Sequence, residues 1–282
     1  MRINIKLLAL LLMTKAIGYN CSEDSTLISI TNTEITQVTG KDSLLVFEDN
    51  FNQEENIPDK SRWVLAPHTD AASWSSYLSD SYDQAYIENG MLILKGEKTK
   101  EGYKSGGIQT RNKFNFTYGI VEVKAKFKTA KGGWPAIWMM PSYSTEDWPY
   151  GGEIDIMEQI NNDGFVYQTL HSYYINILNH EFPLRRVTVS YRKNEFNIYL
   201  VEWNPQEIIF KVNGLITLTY PNLYLSNEET MRQWPFNKPF YLILNYTLGG
   251  KNTWPGDIDD SQLPGIMLID WVKIYRLPVP VL

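Results

Sequence analysis

Gly119-Ile120-Val121-Glu122-Val123-Lys124-Ala125-Lys126-Phe127-Lys128 sets Ile120, Val121, Val123, Ala125 and Phe127 against Glu122, Lys124, Lys126 and Lys128. A period of two puts Val121, Val123, Ala125 and Phe127 on one face of a pleated strand and the charged residues on the other, so this stretch predicts a strand with one buried face. The pattern recurs on both sides of it. Ala85 to Ile87, the turn dipeptide Asn89-Gly90 and Met91 to Lys95 predict a hairpin. Phe196 to Trp203, Ile208 to Val212, Phe240 to Leu248 and Ile269 to Arg276 predict further strands. Helical periodicity is confined to Asn227 to Gln233, and no repeat of fixed period is present. The expectation is an all-β jelly-roll sandwich.

With 282 residues and 43% hydrophobic content, the chain can bury one large core, and it reads as a single-domain monomer. The formal charge of −6 offers no basic face for a polyanionic backbone. Nucleic acid is excluded as a partner on that ground, and highly sulfated glycans are disfavoured. Nine Trp and eighteen Tyr suit stacking on sugar rings and suit a β-sandwich core equally well, so composition leaves both open.

Residues 1–21 read as an export signal: Arg2 and Lys6, the apolar run Leu7 to Met13, then Gly18 and Cys21. Cys21 is the only cysteine, and its place at the end of the signal predicts a lipid-bearing lipoprotein N-terminus. Ser22-Glu23-Asp24 resembles an acidic sorting signal, so the expected location is the outer face of the outer membrane of a Gram-negative cell. Residues 22–43, rich in Ser, Thr and Asn, read as a flexible tether, with the folded domain over 44–282.

The chemistry concentrates in Trp148-Pro149-Tyr150-Gly151-Gly152-Glu153-Ile154-Asp155-Ile156-Met157-Glu158. On a strand Glu153 and Asp155 share one face while Ile154 and Ile156 point inward. Strict alternation would bury Glu158, a costly place for an unpaired carboxylate, and one extra residue at Met157 in a β-bulge returns it to the acidic face. The two glutamates can then lean to the ~5 to 5.5 Å spacing of retaining glycosidases. By itself the E-x-D-x-x-E spacing equally describes a solvated acidic strand or a calcium site.

The surrounding blocks decide between these. Gly133-Trp134-Pro135-Ala136-Ile137-Trp138-Met139-Met140-Pro141, Gly152 to Glu158 and Thr169-Leu170-His171 resemble glycoside hydrolase family 16, in its laminarinase-like, bulged branch. The likeness extends from about Leu44 to Arg276, closing with Asp270-Trp271-Val272-Lys273-Ile274-Tyr275. It implies a jelly roll with a concave carbohydrate cleft and an endo-acting, retaining double displacement with no catalytic cofactor. Glu153 would be the nucleophile, Glu158 the acid/base and Asp155 their tuning partner. Trp134 and Trp148 would stack on sugars, His171 would bond a carboxylate, Asn245 would bind sugar hydroxyls, and Trp138 would stay in the core. Many relatives hold a structural calcium, for which Asp49 or Glu48, Gly90 and Asp270 are the matching candidates.

Departures from the family lie where the cleft should be. Gly107 replaces the usual arginine after Ser105-Gly106, Ser172-Tyr173-Tyr174 replaces a tryptophan segment, and Tyr246-Thr247 replaces small apolar residues. They suggest a neutral substrate other than plain β-1,3-glucan, with β-glucan and β-galactosides such as poly-N-acetyllactosamine or mucin O-glycans both open. A non-catalytic glycan-binding protein of the same fold and a transglycosylase are the alternatives.

Overall fold

The computed structural model describes residues 27–28, 43–68, 73–144, 147–226 and 232–277. The export signal with Cys21 lies outside them, as do residues 227–231 of the one helical candidate. The strands are β1 (Leu27–Ile28), β2 (Leu44–Asp49), β3 (Val64–Leu65), β4 (Ala85–Glu88), β5 (Met91–Thr99), β6 (Gly102–Gln109), β7 (Gly119–Lys128) and β8 (Gly133–Pro141). After β9 (Glu153–Glu158) and β10 (Phe165–His171) comes the four-residue helix α1 (Tyr173–Asn176). Then follow β11 (Arg186–Ser190), β12 (Asn197–Trp203), β13 (Glu207–Val212), β14 (Leu215–Pro221), β15 (Phe240–Leu248) and β16 (Gly265–Arg276). The all-β expectation holds.

Strand order is β1-β11-β10-β9-β8-β15-β6 in one sheet, continuing as β5-β16-β7-β12-β13-β14 in the other. The two sheets share β6. Its first half, Gly102 to Ser105, pairs with β5, and its second half, Gly106 to Gln109, pairs with β15. A bend of this kind lets one strand serve both layers of a sandwich. Gly106 sits at the switch, where a β-carbon would lie 1.7 Å from the Gln84 carbonyl oxygen. The Asn89-Gly90 turn joins β4 to β5 with both residues at positive φ, 53° and 69°, as a two-residue hairpin turn requires.

Alternation fills the space between the sheets. Val121, Val123, Ala125 and Phe127 of β7 are buried there with Ile137 and Met139 of β8 and Leu242, Leu244, Tyr246 and Leu248 of β15. Trp203 lies among Phe116, Tyr118 and Phe240 and donates its indole N–H to the Phe236 carbonyl at 2.9 Å. Much of the aromatic content is therefore core.

Tyr246 belongs to this interior, which corrects its expected place in the cleft wall: on β15 it points inward, whereas Asn245 and Thr247 point to the other face. The phenol fits because its neighbours are glycines; a β-carbon on Gly265 would lie 1.9 Å from Tyr246 Oη and one on Gly133 2.2 Å. Gly265→Ala is expected to cost about 1 to 3 kcal/mol by overpacking. Gly164→Ala, with nothing within 4 Å of the added carbon, serves as the control in the same urea-unfolding series.

The expected tether is not free throughout its length. Leu27 and Ile28 pair in parallel with Thr188 and Val189, so β1 extends the edge of the sheet that carries β9 and β10.

Candidate active site

Both neighbours of β9 record a bulge. Asp155 lies opposite Trp138 and Thr169, and Glu158 lies opposite Ala136 and Tyr167. Ile156 and Met157 together thus oppose the single residues Ile137 and Gln168. Ile154, Ile156 and Met157 are all fully buried, and Glu158 returns to the face of Glu153 and Asp155. The bulge leaves a carbonyl without its ladder partner. Gln168 supplies one, donating Nε2–H to the Ile156 oxygen at 3.0 Å, while its own Oε1 accepts from Thr217.

Each glutamate is held by an indole. Trp148 Nε1–H donates to Glu153 Oε2 at 2.6 Å, and Trp134 Nε1–H donates to Glu158 Oε1 at 2.9 Å. Both tryptophans were expected to stack on sugar, and the structure adds this second contact. Trp148 is 54% exposed, so its ring remains accessible.

His171 stands on β10 opposite Glu153, with Nε2 3.3 Å from Asp155 Oδ2. Its tautomer follows from α1. Asn176 Oδ1 accepts from the Ser172 N–H, which turns Nδ2 toward His171 Nδ1 at 2.9 Å. That ring nitrogen accepts, so the proton is on Nε2, facing Asp155. The Ser172 side chain caps α1 by accepting from Ile175 N–H, so the departure from the family after His171 builds the helix that carries Asn176. Asn176→Ala is expected to lower kcat/KM roughly 10-fold, a fraction of what positioned proton transfer contributes. Nitrogen chemical shifts of His171 should report mixed tautomers in the variant.

Crowding sets the proton affinities. Burial first, then the Asp155 charge, pushes Glu153 up to about 8. Burial, then the Glu153 charge, pushes Glu158 up to about 7, and burial with the Glu158 charge raises Asp155. Such a cluster titrates as a unit and holds protons at neutral pH. The rise at Glu153 runs against a nucleophile's need to be ionised. The Trp148 N–H favours its charged form, and both glutamates open into the cleft, where water screens them.

The cleft extends to either side of β9. On one side a hollow of about 500 Å³ is walled by Trp74, Trp138, Met140, Trp148, Tyr241 and Ile243. On the other, about 390 Å³ is walled by Trp134, His171, Thr169, Arg185, Arg186 and Trp254. Trp138 is buried as expected, in a small core cluster with Ala136, Tyr241 and Ile243 on the cleft side of the sheet, edge-on to Trp74 at 4.8 Å. Asn245 is different from expectation, because its amide is committed to the protein. Oδ1 accepts from Trp138 Nε1 at 2.7 Å and Nδ2 donates to the Trp134 carbonyl at 3.3 Å. It braces two tryptophans of the cleft.

Gly107 faces the cleft beside Asn245, and the space a side chain would take is filled by Ala66 and Leu78. The segment that fills it also brings in Trp74, whose carbonyl accepts from Thr247 Oγ1 at 2.5 Å. Sequence reasoning missed Trp74, Tyr241, Trp254 and the two arginines. Trp254 alone carried a signal, as an aromatic in the turn-rich stretch Gly249 to Gly256.

The calcium candidates are already partnered. Asp49 accepts from Phe51 N–H at 2.9 Å and from Trp63 Nε1–H at 2.8 Å, and Asp270 pairs with Lys124 at 2.7 Å. Glu48 faces Lys273 at 3.4 Å. Gly90 serves the β4–β5 turn. Calcium takes six to eight oxygens, and an ammonium on one of its carboxylates opposes it, so these residues do not form a ready cage.

The model of glycosyl hydrolases family 16 matches residues 72–273. The keratan-sulfate endo-1,4-beta-galactosidase of Sphingobacterium multivorum is 36% identical over 86% of this chain, which spans 58% of that relative's length. The beta-glucanase of Rhodothermus marinus is 34% identical over 82% of this chain and 85% of its own. A solved structure from work on endo-acting O-glycanases with which human gut bacteria initiate mucin breakdown superimposes with a TM-score of 0.74. It is 35% identical and covers 83% of this chain and 100% of that one. With the bulged acidic strand and its cleft in place, the chain belongs to glycosyl hydrolases family 16.

Proposed function

We propose that the protein is a retaining endo-β-glycosidase that cuts internal linkages of a β-linked glycan. The observation that carries this is the bulged β9, which turns Glu153 and Glu158 into one cleft and ties each to a different indole. Glu153, ionised, attacks the anomeric carbon as the bond from that carbon to the leaving oxygen breaks, and Glu158 gives that oxygen its proton. Glu158, now a carboxylate, takes a proton from water. The water oxygen bonds to the anomeric carbon and Glu153 leaves, restoring both groups. Asp155, 3.3 Å from His171 Nε2, sets the charge balance between them. A cleft open at both ends of the catalytic strand suits a chain bound along its interior.

The favoured backbone is a β-galactoside of the N-acetyllactosamine kind. Support comes from the absent arginine at Gly107, from the aromatic wall of Trp74, Trp138 and Tyr241, and from the keratan-sulfate- and mucin-directed relatives. The Rhodothermus relative keeps β-glucan as the second reading. We further propose export, lipid attachment at Cys21 and a monomer at the outer-membrane surface; the apolar run Leu7 to Met13 and the lone Cys21 support the first two.

The test is product analysis with laminarin, lichenan, agarose, keratan and mucin O-glycans. Oligosaccharides from keratan or O-glycans, absent with Glu153→Gln, uphold the reading. Release from laminarin alone replaces the substrate, and binding without release from any glycan replaces the activity. Chain transfer outpacing hydrolysis at high acceptor concentration would make the protein a transglycosylase.

A further inference from the structure

Arg185 and Arg186 enter the cleft together on the β10–β11 side, where they line the same hollow as Glu158, Trp134, His171 and Trp254. Among the described residues neither makes an ion pair. The Arg186 guanidinium lies 4.3 Å from the Tyr167 ring centroid and 5.0 Å from that of Trp254, two rings set at 61° to one another. Planar guanidinium groups stack on aromatic faces, and stacking leaves the N–H edge available. Its Nε–H is buried without a hydrogen-bond partner.

The acids of the site account for one of these two charges. Arg186 favours the ionised forms of Asp155 and Glu158. Arg185 has no such carboxylate: burial, then the Arg186 charge, disfavours its charged form, with only the Tyr220 phenol acting the other way. Two like charges side by side in a half-buried cleft repel, and an anion placed between them removes the repulsion and gains charge-assisted hydrogen bonds.

We infer that the Arg185–Arg186 pair is a subsite for an anionic substituent on the glycan, a sulfate ester or a sugar carboxylate carried by an otherwise neutral backbone. This rests on the reading of the cleft as a glycan site, and it revises the neutral substrate that the chain's overall charge suggested. A net charge of −6 averages over the whole surface, whereas this pair is local to the site.

Binding is measured by calorimetry on the full chain carrying Glu153→Gln. The probes are three N-acetyllactosamine oligomers of equal length, one neutral, one bearing sulfate esters and one bearing sialic acid, with N-acetylglucosamine 6-sulfate as a backbone-independent probe. At least one anionic oligomer should bind roughly 10-fold or more tighter than the neutral one, the scale of a charge-assisted hydrogen bond. The tighter of the two names the anion. Adding Arg185→Gln should remove that gain, and Arg185→Lys should keep only part of it. Raising salt from about 0.05 to about 0.5 M should shrink the gain in the parent protein, which needs no further substitution. Equal affinity for all three oligomers, a gain that survives Arg185→Gln, or no binding of any probe including the sulfated monosaccharide overturns the inference. Turnover by wild type, measured in parallel, bears only on the hydrolase reading: no release alongside an Arg185-dependent preference would sink that reading and leave the subsite standing.

Discussion

Glu153→Gln is expected to lower kcat by at least roughly 10³-fold, because an amide cannot form the glycosyl-enzyme bond on which both half-reactions depend. KM should change little, since the side chain is isosteric and Trp148 Nε1 can still donate to the amide oxygen. The sharper check is Glu153→Ala with azide and an activated aryl glycoside. Azide should occupy the space of the lost carboxylate and return a product of inverted configuration. A product of retained configuration would move the nucleophile elsewhere, with Asp155 next in line on the same face of β9.

Glu158→Gln should be nearly as damaging on natural linkages, on the order of 10²- to 10⁴-fold, the range of a positioned general acid. Substrates whose leaving group needs no proton should retain much of their glycosylation rate. For wild type, a group raised from 4.5 to about 7 is protonated below that value, so acid catalysis is present there and lost above it. The alkaline limb of kcat/KM should fall about tenfold per unit beyond it, and Glu158→Gln should abolish that limb. Stability follows the same sign. Between pH 4.5 and about 7 the folded state binds more protons at Glu158 than the unfolded chain, so its burial weakens the fold progressively as pH rises. Glu158→Gln should therefore raise Tm at pH 8 and leave it nearly unchanged near pH 4. No difference at pH 8 would mean that Glu158 is ordinarily solvated and not tuned by its surroundings.

Much of this was written locally in the chain. Alternation in β7, the Asn89-Gly90 turn and the hairpin it closes depend on neighbours within a few residues, so they were legible as all-β structure. The bulge was legible too, because a carboxylate forced inward by strict alternation has only one inexpensive remedy. Together with the tryptophan-rich blocks around it, that strand was enough to name Glu153, Asp155 and Glu158.

The cleft walls depended on what long-range pairing brings together. Asn245 read as a sugar ligand until the ladder set it against Ala136 and Gly107 and spent its amide on Trp138 and Trp134. Tyr246 read as cleft until the register of β15 turned it inward between Gly133 and Gly265. Trp74 arrives from an irregular segment, and Arg186 reaches the site only because β11 pairs with β10. Period-two patterning tells which residues share a face, but which face meets solvent, and which distant side chain fills the space above a glycine, is decided by the packing of the two sheets.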